Sequence, residues 1–327
     1  MAHGTNWDTA EIYSPILEDL QQVEKRLAQL QAGAPADVQD LTEHILSSGG
    51  KRVRPAVTLL TARCYGAETE WAVTMASAIE LLHIATLVHD DTVDDAETRR
   101  GKATVSSVWG KNIAVLFGDY VFATSATWVC ETQNMRIIRR FSETIMELAS
   151  GQMSEFFSAY GVSGARSEYE DRIYRKTASL FCTAGEAGAI LGGAPEGSIQ
   201  SLKAYGYNIG MAFQIMDDVL DFDGDAMQMG KPIGNDLLNG VLTLPGILLL
   251  ERYTENNPIS KLFEDPGDME HFNNSVNLVH SSGVLQDCYE LIRNYCFRAK
   301  ECLSDIPDSA TKTSLLLLTD YIWERNR

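Results

Sequence analysis

Residues 73–94 read Val-Thr-Met-Ala-Ser-Ala-Ile-Glu-Leu-Leu-His-Ile-Ala-Thr-Leu-Val-His-Asp-Asp-Thr-Val-Asp, a stretch that is strongly apolar until its last turn. The segment is too long for an ordinary strand, and a helix that is apolar on nearly every side belongs in a protein interior. Ile113 to Val129 has the same character. The two segments therefore predict a core built on central helices, the first of which ends in acidic residues.

Helical periodicity continues through most of the remaining sequence, where apolar residues recur at spacings of three and four. Further helices are predicted over residues 16–30, 136–159, 169–191, 198–222, 239–252, 269–281, 284–303 and 311–325. Glycine, proline and asparagine clusters separate them, and no convincing strand or hairpin is visible. The sequence thus predicts an all-α fold of about ten to thirteen helices, with residues 1–327 as a single large helical domain. Two all-α domains are the alternative, although no boundary between them is visible.

Composition excludes several classes of protein. The chain has 327 residues and a formal net charge of −18, from 27 basic and 45 acidic residues, so a nucleic-acid-binding protein is disfavoured. The apolar fraction of 45% is too high for a disordered chain. No unbroken apolar run approaches the ~20 residues of a membrane span and no signal peptide is visible, which predicts a cytoplasmic protein without a membrane span. Six scattered cysteines without a CxxC pair are typical of reduced thiols in that compartment.

Two copies of the pattern Asp-Asp-x-x-Asp follow apolar helical residues. They comprise Asp90, Asp91, Asp94, Asp217, Asp218 and Asp221. Helical residues four apart share a face, and like charges at that spacing destabilise a helix unless a cation lies between them. Mg²⁺ fits best, because it binds through one or two carboxylates, several waters and substrate phosphates. A solvated acidic helix end would explain one copy, whereas two copies predict a metal site.

Basic residues are concentrated in a few short motifs, although the chain is acidic overall. Gly49-Gly50-Lys51-Arg52-Val53-Arg54-Pro55 places three cations at a glycine turn before a helix. Arg99-Arg100-Gly101-Lys102, Lys176-Thr177 and Gly230-Lys231-Pro232 carry others. Arginine makes forked contacts with phosphate oxygens, and lysine supplies a point charge. Each cluster alone is typical of a solvated surface, but beside two acidic motifs they predict recognition of a diphosphate.

Taken in order, these motifs resemble those of the trans-isoprenyl diphosphate synthases, and among them the medium- and long-chain all-trans polyprenyl diphosphate synthases. The resemblance extends over nearly the whole chain, residues 11–327. Its motifs are Gly-Gly-Lys-Arg-Val-Arg-Pro at 49–55, Leu-Leu-His-Ile-Ala-Thr-Leu-Val-His-Asp-Asp-Thr-Val-Asp at 81–94, Arg-Arg-Gly-Lys at 99–102, Gly-Asp-Tyr at 118–120, Lys-Thr-Ala-Ser-Leu-Phe at 176–181, Phe-Gln-x-x-Asp-Asp-Val-Leu-Asp at 213–221 and Gly-Lys-Pro-Ile-Gly-Asn-Asp-Leu at 230–237. It implies an isoprenoid-synthase fold in which the two Asp-rich helices face each other across a central cavity.

The resemblance also implies a role for each matching residue. The Mg²⁺ ligands, for three ions per site with diphosphate bound, would be Asp90, Asp91, Asp94, Asp217 and Asp218. Asp221 would act through water. The allylic-diphosphate contacts would be Arg99, Lys176 and Lys231, and the isopentenyl-diphosphate contacts Lys51, Arg54, His83 and Arg100. Thr177 and Gln214 would position the allylic group and stabilise positive charge.

Product length in this family depends on bulk just before the first acidic motif, where this chain has Ala85 and Thr86. Short-chain synthases usually place an aromatic residue there, so a deeper channel past Leu82 is expected. An all-trans product longer than C20, between C30 and C50, follows from that depth. Phe122 and Trp128 are candidates for a lower floor, although ordinary core packing would explain both equally well.

Two motifs depart from the family pattern. The Gly-Lys-x-Thr-Leu-Pro of many long-chain members reads Gly-Val-Leu-Thr-Leu-Pro at 240–245, so Lys231 would carry this charge alone. Gly-Glu-x-x-Gln reads Gly-Gln-Met-Ser-Glu at 151–155, which exchanges the acid and the amide and makes Gln152 a lesser site candidate.

The partners that the resemblance implies are isopentenyl diphosphate, an allylic diphosphate and a second copy of the chain in a homodimer. A short-chain farnesyl or geranylgeranyl diphosphate synthase and a subunit of a heteromeric synthase stay open as alternatives. A class I terpene cyclase is disfavoured because its second motif usually contains Asn, Ser and Glu. An HD-type phosphohydrolase centred on His89 and Asp90 would leave the second acidic motif unexplained.

Overall fold

The computed structural model describes residues 9–66, 69–162, 166–223 and 233–324. These ranges are almost entirely helical, as the periodicity predicts. The helices up to residue 162 are α1 (Thr9–Tyr13), α2 (Leu17–Gly33), α3 (Ala36–Leu46), α4 (Val53–Arg63), α5 (Thr69–Val93), α6 (Val105–Trp109), α7 (Lys111–Glu131) and α8 (Met135–Phe157). The later helices are α9 (Arg166–Ile173), α10 (Ser179–Leu191), α11 (Glu196–Asp223), α12 (Asn235–Leu238), α13 (Leu244–Arg252), α14 (Pro258–Glu264), α15 (Met269–Ser281), α16 (Val284–Glu301) and α17 (Ala310–Glu324).

The apolar helix α5 lies at the centre of the molecule, packed between α7 and α4. Its side chains from Met75 to Leu82 are almost wholly buried, as the absence of a polar face predicts. Helices α10 and α11 pack beside α4 and complete the core. Gly188 shows how closely α10 approaches α4, because a Cβ there would lie only 2.3 Å from the carbonyl oxygen of Thr58. The buried apolar residues in the described ranges form one continuous core.

Within the described ranges, two helices are long and apolar enough to cross a membrane, Glu70–Val93 and Lys111–Glu131. This differs from the sequence prediction, which counted only unbroken apolar runs. The most apolar window of the first is 78% buried inside the protein, so this segment is a core helix. The window of the second is only 33% buried, and α7 leaves Ile113 and Leu116 on an exposed apolar face.

The structure departs from the predicted elements in several places, and the helices α3 and α14 were not predicted. The helix expected over 169–191 is interrupted by a π-helical turn, Tyr174–Ala178. The short strands Thr98–Arg99 and Lys102–Ala103 form an antiparallel hairpin that the sequence did not reveal, because two residues show no alternation. The helix expected from residue 239 begins at Leu244, since Gly240 has a φ of 76° and proline suits a first helical turn. Short helices such as α6 and α12 also raise the helix number above the expected range.

Candidate active site

A cavity of about 1160 Å³ opens between α5, α8 and α11. It is larger than the ~300–1,000 Å³ of common small-molecule pockets. Its polar lining combines carboxylates with lysine and arginine side chains, and its apolar lining includes Leu82, Phe122, Ile145 and Leu148. The cavity can therefore accept a ligand that is strongly charged at one part and apolar at another.

Both acidic motifs contribute to this cavity. Asp90 lines it from the last turn of α5 and Asp94 from just after that helix; the amide of Asp94 still donates to the carbonyl of Asp90 at 2.8 Å, so the two are one helical turn apart. All three acids of the second motif line it from α11; they are Asp217, Asp218 and Asp221. The backbone amide of Asp236 donates to Asp221 at 3.1 Å. The motifs, far apart in sequence, thus meet in one space.

Asp91 is placed differently from its two neighbours. Its carboxylate is buried and accepts hydrogen bonds from Arg99, whose Nε and Nη2 both lie 2.7 Å from Oδ1. Asp91 is not among the residues that line the large cavity. In this structure it holds Arg99 at the edge of the cavity, and its expected contact with Mg²⁺ stays a prediction.

A chain of hydrogen bonds fixes Asp218. The hydroxyl of Thr177 donates to Gln214 at 2.7 Å, and the Gln214 amide donates to Asp218 at 2.8 Å. On the other side, the hydroxyl of Tyr169 donates to Asp218 at 2.6 Å. Tyr169 was not predicted; the only sequence signal is its position seven residues, two helical turns, before Lys176.

Burial destabilises the charged forms of these carboxylates. It raises the pKa of Asp218 to about 8, assisted by the charge of Asp236. Burial likewise raises the pKa of Asp90 to about 6, with Lys176 opposing and Asp94 reinforcing the shift. A divalent cation would relieve this cost, because it favours the charged carboxylates. In the described residues no group of three or more His, Cys, Asp or Glu side chains could hold a metal alone.

The predicted cations gather at the same cavity. Lys51, Arg54, His83, Arg99, Arg100 and Lys176 all line it. Arg54 Nη1 lies 3.3 Å from His83 Nε2, and the Lys51 ammonium lies 5.2 Å from the Tyr321 ring centre on α17. Burial, followed by the charges of Arg54 and Arg100, lowers the pKa of His83 well below its usual value. His83 is therefore a neutral hydrogen-bonding group at physiological pH and a poor base.

The remaining predicted residues divide between the cavity and other surroundings. Thr86 and Gln152 line the cavity, whereas Ala85 is fully buried and does not, and its expected effect on product length stays a prediction. Phe122 lines it, but Trp128 stacks on Arg26 with 4.8 Å from the guanidinium carbon to the ring centre. Lys231 lies outside the described residues.

Glu155, the acid of the motif at 151–155, was not predicted as a site residue, but it contacts a side chain that lines the cavity. It forms an ion pair with Lys176, and its side chain is only 18% exposed. In this chain the acid of the motif stands four residues after Gly151. From this position on α8 it still reaches Lys176 in the π turn, which explains how the motif can have its acid there. The lysine is thereby held near Asp90 and Asp94 before any substrate binds.

The raised pKa of Asp218 predicts that the stability of the protein depends on pH. An unfolded aspartate loses its proton near pH 4, whereas the buried one keeps it until about pH 8, so folding binds a proton between these values. Stability of the metal-free protein should therefore fall as pH rises, by about 2 kcal/mol between pH 6 and 8. We expect thermal unfolding in EDTA to show this slope and Asp218→Asn to flatten it. The exposed control Asp308→Asn should keep the slope; equal slopes in all three proteins would contradict the prediction.

Fold and site together define a helical enzyme that brings carboxylates, cations and an apolar channel to one cavity. A family model described as "Polyprenyl synthetase" matches residues 35–279. The chain belongs to this family and is a prenyltransferase. Members of the family are generally Mg²⁺-dependent.

Three relatives illustrate the similarity. The chain is 34% identical over 315 residues to heptaprenyl diphosphate synthase component 2 of Geobacillus stearothermophilus, which covers 96% of this chain and 98% of that one. The structure of a decaprenyl diphosphate synthase from Rhodobacter capsulatus matches with a TM-score of 0.92 and 31% identity, over 98% and 100% of the two chains. That of a polyprenyl synthase from Caulobacter crescentus, complexed with calcium and isoprenyl diphosphate, gives 0.91 and 30%, with 98% of each chain covered.

Proposed function

We propose that the protein elongates an allylic diphosphate with isopentenyl diphosphate and releases an all-trans polyprenyl diphosphate longer than C20, between C30 and C50. One observation carries this proposal: residues of both acidic motifs, the cations and several apolar side chains border a single cavity. The relatives named heptaprenyl and decaprenyl diphosphate synthase support a medium or long product. The lack of an aromatic side chain at Thr86 agrees with it.

The proposed metal ligands are Asp90 and Asp94 at the end of α5 and Asp217 and Asp218 on α11, with Asp221 acting through water and Asp91 supporting Arg99. We propose three Mg²⁺ ions per site when diphosphate is bound. The calcium and isoprenyl diphosphate in the Caulobacter structure support a divalent cation in this family. Mg²⁺ supplies positive charge that stabilises the departing diphosphate.

The protein residues then have separate tasks in the proposed reaction. Arg99 and Lys176 contact the allylic diphosphate, and their charges favour the departing anion when the bond from C1 to oxygen breaks. Thr177 and Gln214 lie beside the resulting allylic cation, which the apolar wall shields from water. Lys51, Arg54, Arg100 and neutral His83 hold isopentenyl diphosphate so that its double bond attacks C1. The proton that is then lost passes to the released diphosphate, since His83 is a poor base.

The proposal is tested with the purified full chain. Labelled isopentenyl diphosphate and Mg²⁺ are incubated with dimethylallyl, geranyl, farnesyl or geranylgeranyl diphosphate, and the dephosphorylated products are sized by chromatography. We expect chains longer than C20 with at least one starter and none in EDTA. Products that stop at C15 or C20 would favour the short-chain alternative. Inactivity with every starter, cured by a second protein, would favour a heteromeric subunit.

Further proposals concern the state of the chain. We propose that residues 1–327 act as one domain in the cytoplasm, which the continuous core and the free cysteines support.

We also propose a homodimer, because α7 leaves Leu116 65% exposed within an apolar helix face. Sedimentation of the purified protein would check the dimer.

A further inference from the structure

The loop before α4 and the first turn of that helix carry two of the proposed diphosphate contacts. Lys51 lies in this loop, residues 49–52, and Arg54 is the second residue of α4; both line the cavity, and the loop itself has no regular secondary structure. Two contacts hold its backbone: the Tyr13 hydroxyl donates to the Lys51 carbonyl at 2.7 Å, and Arg100 donates to the Gly49 carbonyl. The positions of its cations therefore depend on side chains from elsewhere in the fold.

Arg52 lines the cavity as well, but two carboxylates already hold its guanidinium. Its side chain is only 12% exposed, and its Nε and Nη2 donate to the two carboxylate oxygens of Glu24 at 2.6 and 3.2 Å. Its Nη1 donates to Glu80 at 2.7 Å, and the Glu80 side chain is only 7% exposed. Because two carboxylates already compensate this guanidinium, a diphosphate would gain little from it.

The two carboxylates belong to helices on either side of the loop. Glu24 lies on α2, and Glu80 lies on α5 one turn before His83, so Arg52 ties the loop to the helix that carries His83 and Asp90. The approach is close, since a Cβ at Gly50 would lie 3.2 Å from Nη1 of both Arg52 and Arg100. Arg52 itself has a φ of 50°, a conformation that persists only where its surroundings fix it.

We infer that Arg52 is a positioning residue: clamped by Glu24 and Glu80, it fixes the loop so that Lys51 and Arg54 meet the diphosphate of the isopentenyl substrate. The inference rests on the proposed function, because it takes that substrate as the ligand of these two cations. A small displacement of the side chains that hold a substrate weakens the contacts that position it. Loosening the clamp should therefore weaken isopentenyl diphosphate selectively and leave the allylic site, built from α5, α11 and the π turn, unchanged.

Arg52→Lys tests the clamp, because lysine is a point charge and cannot reproduce three guanidinium hydrogen bonds to two carboxylates. The chain offers a matched control in Arg63→Lys: Arg63 also joins α4 to α2, through two hydrogen bonds to Asp19, but does not line the cavity. We expect Arg52→Lys to raise the KM for isopentenyl diphosphate about tenfold, with the KM for the allylic substrate and kcat within about twofold. Arg63→Lys should leave both KM values unchanged, even if its thermal stability falls.

A second pair of variants covers the case in which Arg52→Lys does not fold. Glu80→Gln keeps an oxygen acceptor for Arg52 Nη1, whereas Glu80→Ala removes it, so the KM for isopentenyl diphosphate should rise in Glu80→Ala and largely recover in Glu80→Gln. An unchanged KM in Arg52→Lys, or equal rises for both substrates, would overturn the inference. Wild-type protein unable to use isopentenyl diphosphate would instead overturn the proposed function, which keeps the two failures apart.

Discussion

Asp90→Asn should lower kcat for chain elongation by about a hundredfold to a thousandfold, the scale of losing one preorganised charge contact at a reacting centre. Asp90 and Asp94 are one turn apart at the cavity, so the proposed cation loses one of the two carboxylates that α5 supplies. The amide of asparagine keeps the size of the side chain and removes only its charge. The measurement is steady-state elongation over a series of Mg²⁺ concentrations.

Asp95→Asn provides the matched control for this experiment. Asp95 follows the motif directly, is 71% exposed in its side chain and pairs with Lys111 away from the cavity. An exposed ion pair contributes only about 0–1 kcal/mol, so this variant should keep its activity within about twofold. If Asp90→Asn stayed as active as Asp95→Asn at every Mg²⁺ concentration, Asp90 would have no part in holding the metal.

Thr86→Phe should shorten the main product to about C15–C20, because the ring would stand about 6 Å along α5 from Asp90, at 1.5 Å per residue. Asp90, Thr86 and Leu82 follow one another at intervals of four residues and all line the cavity. An aromatic side chain at the middle position would close the channel between the charged residues and Leu82. Product chromatography with farnesyl and geranyl diphosphate as starters gives the measurement.

Ala85→Phe separates a blocked channel from a disturbed core. Ala85 is fully buried and does not line the cavity, so a phenylalanine there must displace packed neighbours, at a typical cost of about 1–3 kcal/mol. We expect a lower melting temperature and a smaller change in product length than in Thr86→Phe. Full-length product from Thr86→Phe would contradict the proposed course of the channel.

Local patterns predicted much of the fold and the site. The apolar surface of α5 marked it as a core helix, and the repeated Asp-Asp-x-x-Asp marked both walls of the cavity, because helix geometry fixes which neighbours share a face. The same argument treated Asp91 as equal to Asp90. The difference between the two aspartates is made by Arg99, which contacts Asp91 from a hairpin that is too short to leave a pattern in the sequence.

Contacts between distant segments were beyond sequence reasoning. Tyr169 meets Asp218 across 49 positions of the chain, and Arg52 meets Glu80 across 28. Neither pair has a periodic signal, since the partners meet only after the helices pack. The resemblance supplied the matching motif residues, but a motif states that Arg52 is basic without stating that two carboxylates already hold it.

The π turn at Tyr174–Ala178 has a consequence for how this stretch can vary. Lys176 and Thr177, within the turn, line the cavity, while Tyr169, before the turn, reaches Asp218. A π turn holds about one residue more than an α-helical turn. It therefore sets the direction in which side chains before the turn point relative to those after it. Deleting a single residue here would rotate one partner away from its contact even if every side chain named above were kept. Homologous sequences should therefore tolerate substitutions in this stretch far better than a change in its length.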